Sequence, residues 1–459
     1  MKDQSLETSS LFSVERYQYE VAQRRVATWH EAEAQWCPIP VALSPTVIEK
    51  TTWDQLYRDA MLIVGCFPRA LRWLQVMSDK DEVVAKFFNR MLVGLSDCEI
   101  KLAKKSPDPY WGHASIRLDL FWHYGELRII EANCTIPAMQ AYSDNVLESW
   151  LLAGGRTNYR PQNVDQLLTS LLSLYRTNGG LTARPRIVIL HRQGDSQLGE
   201  LQWLAQRWTG MGFESILVTP EKIERRGDLW LAEGIPCEIV YRHIFAFRIK
   251  NEQILSALDR SFETHIYNPV SAHYESKAFF ALLSHIAADE QLCAQVGVRR
   301  EEALAIERRL PWCRVIGPSF AGVSLENVER RLEGLVIKRS VGYGGHSVVL
   351  GESWFSQETQ DRLRALTGMS TDVDVKSFLK WLEKDESLWV AQERMSGLQR
   401  ETKILTKNGI EEWKAWFDAS IFINSNGSAI CHGGVSRVAK SPIVNIGTGG
   451  GLAPLIITP

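Results

Sequence analysis

The chain contains 459 residues, 45% of them hydrophobic and 23% charged, a composition typical of a soluble globular protein with room for about three domains. Lys and Arg number 52 and Asp and Glu number 54, so the formal net charge is −2. This balance argues against a dedicated nucleic-acid-binding protein and against a polybasic membrane-binding surface. No apolar run approaches the ~18 residues of a membrane helix, and the polar start lacks the pattern of a signal peptide. We therefore expect a cytoplasmic location, with neither nucleic acid nor membrane as a partner.

The eight cysteines show no CxxC pair and no spacing with histidines that is typical of a zinc site. In a chain of this length they are expected to be reduced and mostly buried thiols.

The first region of the chain, 1–180, is predicted to be mainly helical. Apolar residues recur at helical spacing over Phe12–Trp36 and again over Trp53–Met77. From Ala114 to Asn133 the pattern alternates instead, which predicts a β-hairpin. A polar stretch with two glycines, Thr177–Gly180, then marks a boundary.

A strand–helix–strand rhythm follows and predicts a small α/β lobe over 181–270. Its expected elements are strands at Arg186–Leu190, Phe213–Val218 and Cys237–Tyr241 and a helix at Leu198–Trp208.

The third region, 271–459, is predicted to begin with helix over Ala272–Arg309 and to continue from Leu335 to Ile457 mostly as strands, with one helix near 374–384. The P-loop pattern, GxSxG, HExxH and the dinucleotide-binding GxGxxG are absent from the chain. The segment Gly447–Gly451 is rich in glycine, but because no helical pattern follows it, it is interpreted as a mobile loop rather than a phosphate cradle.

Two carboxylates, an arginine and an asparagine in the predicted hairpin give the strongest local signal. A hairpin centred on Gly125 places Asp119 opposite Glu131. The same register places Arg117 opposite Asn133, on the same face. Directly opposed carboxylates destabilise a sheet unless a cation lies between them, and Asp, Glu and Asn oxygens suit Mg²⁺. The pattern therefore indicates a metal site on Asp119, Glu131 and Asn133.

An ordinary solvated face with an ion pair between Arg117 and Glu131 is the alternative interpretation of this hairpin. A two-residue loop would also shift the register and weaken the prediction of a metal site.

A glycine-rich segment, Val336–Leu350, is predicted to form two strands joined by a flexible loop. The loop contains Gly342, Gly344 and Gly345, whose backbone N–H groups are able to approach phosphate oxygens closely. Lys338 on the first strand would supply positive charge to the same phosphates. A plain β-hairpin is the alternative, but two residues suffice for its turn, so the longer loop favours a functional role.

A further strand, Leu388–Arg394, ends in polar residues about fifty positions after Lys338. Gln392 and Glu393 stand where a strand edge often meets an adenine through backbone groups and one carbonyl or carboxylate.

Taken in this order, the segments resemble a circularly permuted ATP-grasp protein of the branch that includes glutathionylspermidine synthase-like ligases. In that branch the metal-binding hairpin precedes the nucleotide-binding lysines, as it does here. The resemblance runs from Arg117 onward, and the first 110 residues contain no matching motif. The matching segments are Arg117–Asp119 with Glu131–Asn133, Tyr267–Pro269 with Glu275–Lys277, Ile337–Gly345, Trp389–Glu393, and Gly433–Asn445.

This resemblance implies an α/β (α+β) class with a circularly permuted ATP-grasp fold. Residues 1–180 would hold the helical region and the metal-binding hairpin, 181–270 a pre-ATP-like substrate lobe, and 271–459 a helical connector and the ATP-binding subdomains. The implied roles are Mg²⁺ ligation by Asp119, Glu131 and Asn133; phosphoryl or anion contact by Arg117 and Arg437; ATP phosphate binding by Lys277 and Lys338 under a lid of Gly342, Tyr343, Gly344 and Gly345; and an adenine end at Gln392 and Glu393. His346 stands where relatives often have Lys or Arg, which implies weaker or pH-dependent phosphate binding.

The implied activity is that of an ATP- and Mg²⁺-dependent carboxylate–amine ligase, which forms an acyl phosphate and then a C–N bond. A nucleotide-binding scaffold without turnover and an ATP-dependent phosphotransferase remain alternatives. The expected partners are small carboxylate and amine substrates, with amino acid, peptide, polyamine and carrier-protein thiol all left open, and a homo-oligomer is also left open. Arg242 is a candidate for binding a substrate carboxylate, and a surface arginine after a strand is the alternative.

Overall fold

A computed structural model describes residues 12–105, 113–160, 162–342, 344–345, 347–424 and 433–458, without the side chains of residues 261 and 262. Tyr343, His346 and Cys431 lie outside the described residues, so the predictions that involve them are not addressed by it. The seven described cysteines are free, and five of them are buried, as predicted.

The described helices and strands alternate along the chain in a mixed α/β arrangement. The helices are α1 Val14–Gln23, α2 Lys50–Ser78, α3 Glu82–Met91, α4 Asp97–Lys105, α5 Gln140–Leu152, α6 Asn163–Thr177, α7 Leu198–Gly210, α8 Glu252–Leu258, α9 Ser261–Thr264, α10 Lys277–Ala287, α11 Glu290–Val296, α12 Arg300–Arg309, α13 Leu325–Arg331, α14 Gln357–Thr367 and α15 Val375–Leu382. The strands are β1 Ala27–His30, β2 Gln35–Pro38, β3 Val41–Ala42, β4 Thr46–Glu49, β5 Ser115–His123, β6 Glu126–Asn133, β7 Ile187–His191, β8 Ser215–Val218, β9 Ile223–Arg226, β10 Leu229–Ala232, β11 Ile235–Cys237, β12 Ile239–His243, β13 Ile266–Tyr267, β14 Cys313–Ile316, β15 Gly322–Val323, β16 Leu335–Arg339, β17 Val348–Leu350, β18 Trp389–Glu393, β19 Leu398–Thr406, β20 Gly409–Asn424, β21 Gly434–Ala439, β22 Gly451–Ala453 and β23 Leu455–Thr458.

The described strands form six sheets, and the three largest organise the fold. A seven-stranded sheet has the order β19-β3-β22-β21-β20-β5-β6, with an additional pairing of β19 to β20. A five-stranded sheet has the order β15-β14-β18-β16-β17, and a four-stranded parallel sheet has the order β13-β12-β7-β8. The first sheet joins strands from both ends of the chain, because β3 pairs with β19 and β22.

The helix predicted over Phe12–Trp36 is wrong in its second half. α1 ends at Gln23, and the residues beyond it form the antiparallel β1–β2 hairpin. Trp29 and Trp36 lie opposite each other in that hairpin, with their ring centroids 5.1 Å apart. Cross-strand aromatic pairs stabilise a hairpin, and this tertiary contact outweighs the helical spacing.

The helix predicted over Trp53–Met77 is confirmed as α2 and extends slightly at both ends. By length and composition it passes the criterion for a membrane-spanning helix, which differs from the expectation drawn from apolar runs. Half of the most apolar 18-residue stretch of α2 is buried inside the protein. The side chains of Trp53, Leu56 and Phe67 on this helix are fully buried in the main hydrophobic cluster. Because a core helix passes the same test, this is weak support for a membrane span.

The predicted hairpin from Ala114 to Asn133 is confirmed as β5 and β6, but its turn differs from the prediction. A two-residue loop, Tyr124–Gly125, joins the strands, and both loop residues have positive φ, as such loops require. On its own this loop shifts the register by one residue, so that Leu120 faces Ile129.

A β-bulge at Ile130 then restores the predicted pairing. One extra residue on β6 realigns the strands, so that Asp119 faces Glu131 and Arg117 faces Asn133. The predicted juxtaposition is therefore confirmed, although it arises from a loop and a bulge rather than from a turn centred on Gly125.

The α/β lobe contains the predicted strand–helix–strand order as β7, α7, β8 and β12, with bounds shifted by one to two residues at most ends. Its four strands run parallel, and hydrophobic clusters cover both faces of the sheet. A parallel sheet buried on both faces explains the continuous apolar runs in these strands.

In the third region the predicted helix over Ala272–Arg309 is divided into a short 3₁₀ turn and α10, α11 and α12. The helix expected near 374–384 is α15, but α13 and α14 were missed. α14 buries few apolar side chains, chiefly Leu363, so its hydrophobic stripe is too short to stand out in the sequence. Ser356 at its start and Gly368 at its end are the capping signals that mark it.

Candidate active site

A cavity of about 280 Å³ lies between the five-stranded and seven-stranded sheets. It brings together side chains that are far apart in the sequence, from the β5–β6 hairpin, the start of α10, the glycine-rich loop and strands β16, β18 and β21. Of the predicted site residues, those that line this cleft are Arg117, Glu131, Asn133, Lys277, Lys338, Gly342, Gly344, Gly345, Gln392, Glu393 and Arg437.

Asp119 is fully buried behind the cleft wall and is held by two arginines. Its two carboxylate oxygens accept hydrogen bonds from Arg117, from Nε at 2.7 Å and from Nη2 at 3.1 Å. Arg437 Nη2 lies 2.9 Å from Asp119 Oδ2. Burial opposes ionisation, but the positive charges of Arg117 and Arg437 hold the pKa of Asp119 below its usual range. As a metal ligand, Asp119 would first have to release one of its arginines.

Asp418 is the second carboxylate on Arg437, and sequence analysis missed it. Arg437 donates to Asp418 Oδ2 from Nη2 at 2.6 Å and from Nε at 3.0 Å. Burial raises the pKa of Asp418 to about 6, against the lowering effect of Arg437. An aspartate within the apolar run Trp416–Ile423, directly opposite Arg437 in the sheet register, was the available signal.

Glu131 and Asn133 lie on the cleft side of β6 and have few partners. The nearest charged group to the Glu131 carboxylate is Lys277 Nζ at 3.8 Å. The Nδ2 atom of Asn133 is buried and has no hydrogen-bond partner among the described residues. The Glu131 carboxylate, on a side chain that is 31% exposed, is therefore open to the cleft, and Asn133 lies two residues further along the same strand.

Lys338 projects from β16 and is almost fully buried. Its Nζ donates to Gln392 Oε1 at 2.6 Å, and Gln392 Nε2 donates to the carbonyl of the bulge residue Ile130 at 3.2 Å. Burial, and to a lesser extent the nearby charge of Lys277, lowers the pKa of Lys338. Gln392 therefore links the lysine to the β6 bulge, and both ends of its side chain are already engaged.

The glycine-rich loop forms the edge of the cleft. Gly344 and Gly345 have φ values of 70° and 77°, which L-residues rarely adopt. A Cβ on Gly345 would lie 2.9 Å from the Ile443 side chain, so glycine is needed there also for space. Lys277 Nζ donates to the Gly342 carbonyl at 2.8 Å, which ties α10 to the start of the loop.

Glu393 and several apolar side chains also line the cleft. The Glu393 carboxylate accepts a hydrogen bond from the backbone N–H of Trp312 at 3.4 Å. The apolar lining includes Phe121, Ile130, Val336, Leu350, Met395 and Trp416.

Arg242 does not line the cleft, which corrects its interpretation as a substrate-binding residue. It is fully buried, and burial lowers its pKa to about 10. Its guanidinium donates to four backbone carbonyls, those of Asn268 at 2.5 Å, Pro269 at 2.9 Å, Thr135 at 3.4 Å, and Ile244. With its donors directed at the backbone, Arg242 holds loops together and has no free face for a carboxylate.

Two buried glutamates anchor the backbone around Arg117 and the end of β6. Glu275 accepts hydrogen bonds from the backbone N–H groups of Cys134 and Thr135, directly after the hairpin. Glu200 accepts from Met139 N at 2.8 Å and from Ala141 N at 3.2 Å, next to Ala138, whose carbonyl accepts from Arg117 Nη1. Neither glutamate was assigned a role from the sequence.

Glu200 predicts a measurable pH dependence of stability. Burial raises its pKa from 4.5 to about 7, so the folded state binds a proton more tightly than the unfolded state. Its contribution is fully present below pH 4.5 and is lost as the pH rises through about 7. The free energy of unfolding of the wild type minus that of Glu200→Gln should therefore fall by about 3 kcal/mol over this range.

Urea unfolding of both proteins between pH 4 and 8 measures this difference. Glu214→Gln, at an exposed glutamate paired with Arg186, is the control and should show no such slope. A difference that does not change with pH for Glu200→Gln would contradict a raised pKa.

Comparison with known proteins gives a fold but no close relative. No protein-family model and no curated protein matches the sequence. Among solved structures, the chain is similar to a glutathione synthetase-like effector (GSS30) from Globodera pallida in its apo form, with a TM-score of 0.56 and 10% sequence identity. The similarity covers 96% of this chain and 97% of that one. The chain therefore shares the fold of that glutathione synthetase-like effector along nearly its whole length.

Proposed function

We propose that this protein is an ATP- and Mg²⁺-dependent ligase that activates a substrate carboxylate as an acyl phosphate and joins it to an amine. The observation that carries the proposal is the cleft itself. Lys277 and Lys338 meet Arg117 and Arg437 there, beside the carboxylate of Glu131. Such a concentration of cations around a hard-ligand set suits a polyphosphate with its metal ion. The likeness in fold supports the same conclusion.

The nucleotide would lie along the cleft with its base against apolar side chains near Glu393. Met395 and Trp416 are among the side chains that would contact the base, and the β18 backbone at Glu393 would bind its edge. Lys338 and Lys277 would contact the phosphates, and the loop from Gly342 to Gly345 would cover them with backbone N–H groups. Before ATP binds, Gln392 and the Gly342 carbonyl hold the two lysine side chains in place.

The residues present fit a magnesium ion. Glu131 has a carboxylate open to the cleft, a hard oxygen ligand, and the Asn133 side chain lines the same cleft. These two would hold Mg²⁺, with Asp119 joining them only after an arginine moves away. When bound, the ion neutralises phosphate charge and aligns the transferred phosphoryl group.

The chemistry needs little covalent participation by the protein. A substrate carboxylate oxygen attacks the γ-phosphorus of ATP, ADP leaves, and an amine then displaces phosphate from the acyl phosphate. Arg117 and Arg437 would neutralise the charge on the transferred group, which is a positioning and electrostatic role. Cys134 follows Asn133 directly, but burial raises its thiol pKa well above the usual value, which argues against a thiolate nucleophile.

The chain order supports the circularly permuted arrangement within this proposal. The hairpin with Glu131 and Asn133 precedes the strand with Lys338, as in the permuted branch. The parallel sheet at 187–267 would then be the substrate lobe.

An ADP-release screen against carboxylic acids and amines, with mass spectrometry of the products, tests the proposal. We expect release that requires both substrates and yields a condensed product plus phosphate. A stable phosphorylated product would favour the phosphotransferase, and tight ATP binding without ADP across the whole panel would favour the scaffold.

We expect Glu131→Ala to reduce Mg²⁺-dependent ADP formation by roughly 10²–10³-fold, because a metal-binding oxygen opposite the phosphates is removed. Raising the Mg²⁺ concentration should restore part of the activity. Glu126→Ala, at the exposed tip of the same hairpin, is the matched control and should retain full activity. Full activity of Glu131→Ala at saturating substrate would refute the assignment.

A further inference from the structure

A second cavity, of about 510 Å³, adjoins the cleft and shares Arg117 and Arg437 with it. These two arginines are the ones proposed to contact the transferred phosphoryl group, and Asn445 also lines both cavities. A molecule bound in the second cavity would therefore reach the reacting end of the nucleotide site.

The second cavity lies at the carboxyl ends of two parallel strands, β7 and β12. In the strand order β13-β12-β7-β8, the strand that follows β7 in the chain, β8, lies on one side of β7. The later strands β12 and β13 lie on the other side of β7. The space between β7 and β12 is thus a topological switch point, where open α/β sheets form ligand-binding crevices. Gln197, directly before α7, also lines the cavity, so the positive end of that helix dipole faces it.

The charged lining of this cavity is predominantly positive. Among the described residues that line it, four are arginines and Asp195 is the one carboxylate. Arg117 and Arg437 are already paired with the buried Asp119 and Asp418, so Arg192 and Arg248 supply the remaining positive charge. Asp195 is partly engaged, because it accepts the Gln197 N–H at 2.9 Å and lies 3.9 Å from Arg192 Nε. Arg248 lies over the Phe247 ring, and no described carboxylate is within ion-pair distance of it. This arrangement disfavours a polyamine and favours an anion.

His243 supplies an independent sign of a ligand. It ends β12, is 2% exposed and lines the second cavity. Neither of its ring nitrogens has a hydrogen-bond partner among the described residues. Burial lowers its pKa to about 4, so the ring is neutral and offers one donor and one acceptor. A buried polar ring without a partner at a cavity wall fits a group that completes its hydrogen bonding.

We propose that this cavity binds a substrate with two anionic groups, one carboxylate held by Arg192, Arg248 and His243 and a second directed at Arg117 and Arg437 for phosphorylation. The phosphorylation of the second carboxylate rests on the proposed ligase function, whereas the binding of the two carboxylates does not. The substrate class it assigns is a dicarboxylate, such as a dicarboxylic amino acid or a short acidic peptide.

Calorimetric titration with diacids and their monoamides tests the site without requiring turnover. The probes are succinate against succinamate and L-glutamate against L-glutamine, each added to the full-length protein with ATP omitted. We expect the diacid of each pair to bind about 10- to 100-fold more tightly than its monoamide, because the monoamide loses a charge-assisted contact. Arg248→Gln should remove most of this preference. Arg260→Gln, at an exposed arginine paired with Glu263 in the same lobe, should leave it unchanged.

Equal binding of diacid and monoamide, no binding of either, or tighter binding of spermidine would overturn the inference. Separate ADP-release assays with the same acids report on the ligase itself. Diacid binding that Arg248→Gln removes, without ADP formation with any nucleophile, would leave the anion site standing and refute the ligase proposal.

Discussion

Asp119→Asn should lower the free energy of unfolding by about 3–5 kcal/mol in the absence of nucleotide and Mg²⁺. The substitution keeps the size of the side chain but removes the negative charge between Arg117 and Arg437, both of which are nearly buried. Breaking a buried ion pair from one side leaves an uncompensated charge in a medium of low dielectric constant, which is more costly than losing a surface pair. We also expect ADP formation to fall to background, because Arg117 loses the carboxylate that orients it, whereas Arg437 keeps Asp418 as a partner.

Chemical denaturation of the metal-free protein measures this effect. Ser420→Ala is the matched control, because it removes only one hydrogen bond of 3.0 Å to the same carboxylate and should cost about 1 kcal/mol. Because the pKa of Asp119 is lowered, its stabilising contribution is present above its ordinary pKa of 3.8 and is lost as the pH falls below it. Unchanged metal-free stability in Asp119→Asn would show that the carboxylate serves the metal alone.

Lys338→Met, in contrast to Asp119→Asn, should reduce activity without reducing stability. We expect ADP formation to fall roughly 10²–10³-fold, because the strand loses the charge proposed to contact the ATP phosphates. Stability should stay within about 1 kcal/mol of the wild type or rise, since methionine replaces a buried charge whose pKa burial has already lowered. The costs are the Gln392 oxygen, which loses its lysine partner, and the lost attraction of the lysine charge to Glu131 and Asp119.

Calorimetric titration with ATP and thermal unfolding separate these two effects. Lys376→Met, at an exposed lysine on α15, is the control and should bind ATP normally. Retained ATP affinity in Lys338→Met would mean that the lysine is a structural partner of Gln392 and not a phosphate contact.

The pairing of the β5–β6 hairpin agrees with the sequence-based prediction, although the turn that produces it does not. Alternation placed Asp119, Glu131, Arg117 and Asn133 on one face, and that placement is observed. The predicted turn was wrong. Nothing in the local sequence pattern distinguishes a two-residue loop followed by a bulge at Ile130 from a longer turn. Bulges depend on what the neighbouring strands and side chains permit, here including the bond from Gln392 to the Ile130 carbonyl.

The sequence predicted the positions of individual charged residues better than it predicted their roles. Arg242 and Asp119 were both assigned to ligands, yet Arg242 is bonded to backbone carbonyls and Asp119 is held by two arginines. Asp418 was overlooked, although it shares Arg437 with Asp119. Whether a charged group is free to bind a ligand depends on its burial and its partners, and these come from distant segments.

The sequence by itself determined the local elements and the order of the chemical groups: the parallel strands of the α/β lobe, the glycine-rich loop after Lys338, and the carboxylate-bearing hairpin. These follow from periodicity and backbone preference, which act over a few residues. Only the tertiary structure decided which groups meet. It brought Lys277, Lys338 and Arg437 to one cleft and opened a second cavity at the ends of β7 and β12. Those contacts join residues up to hundreds of positions apart, and long-range packing, not local pattern, sets their distances, charges and exposure.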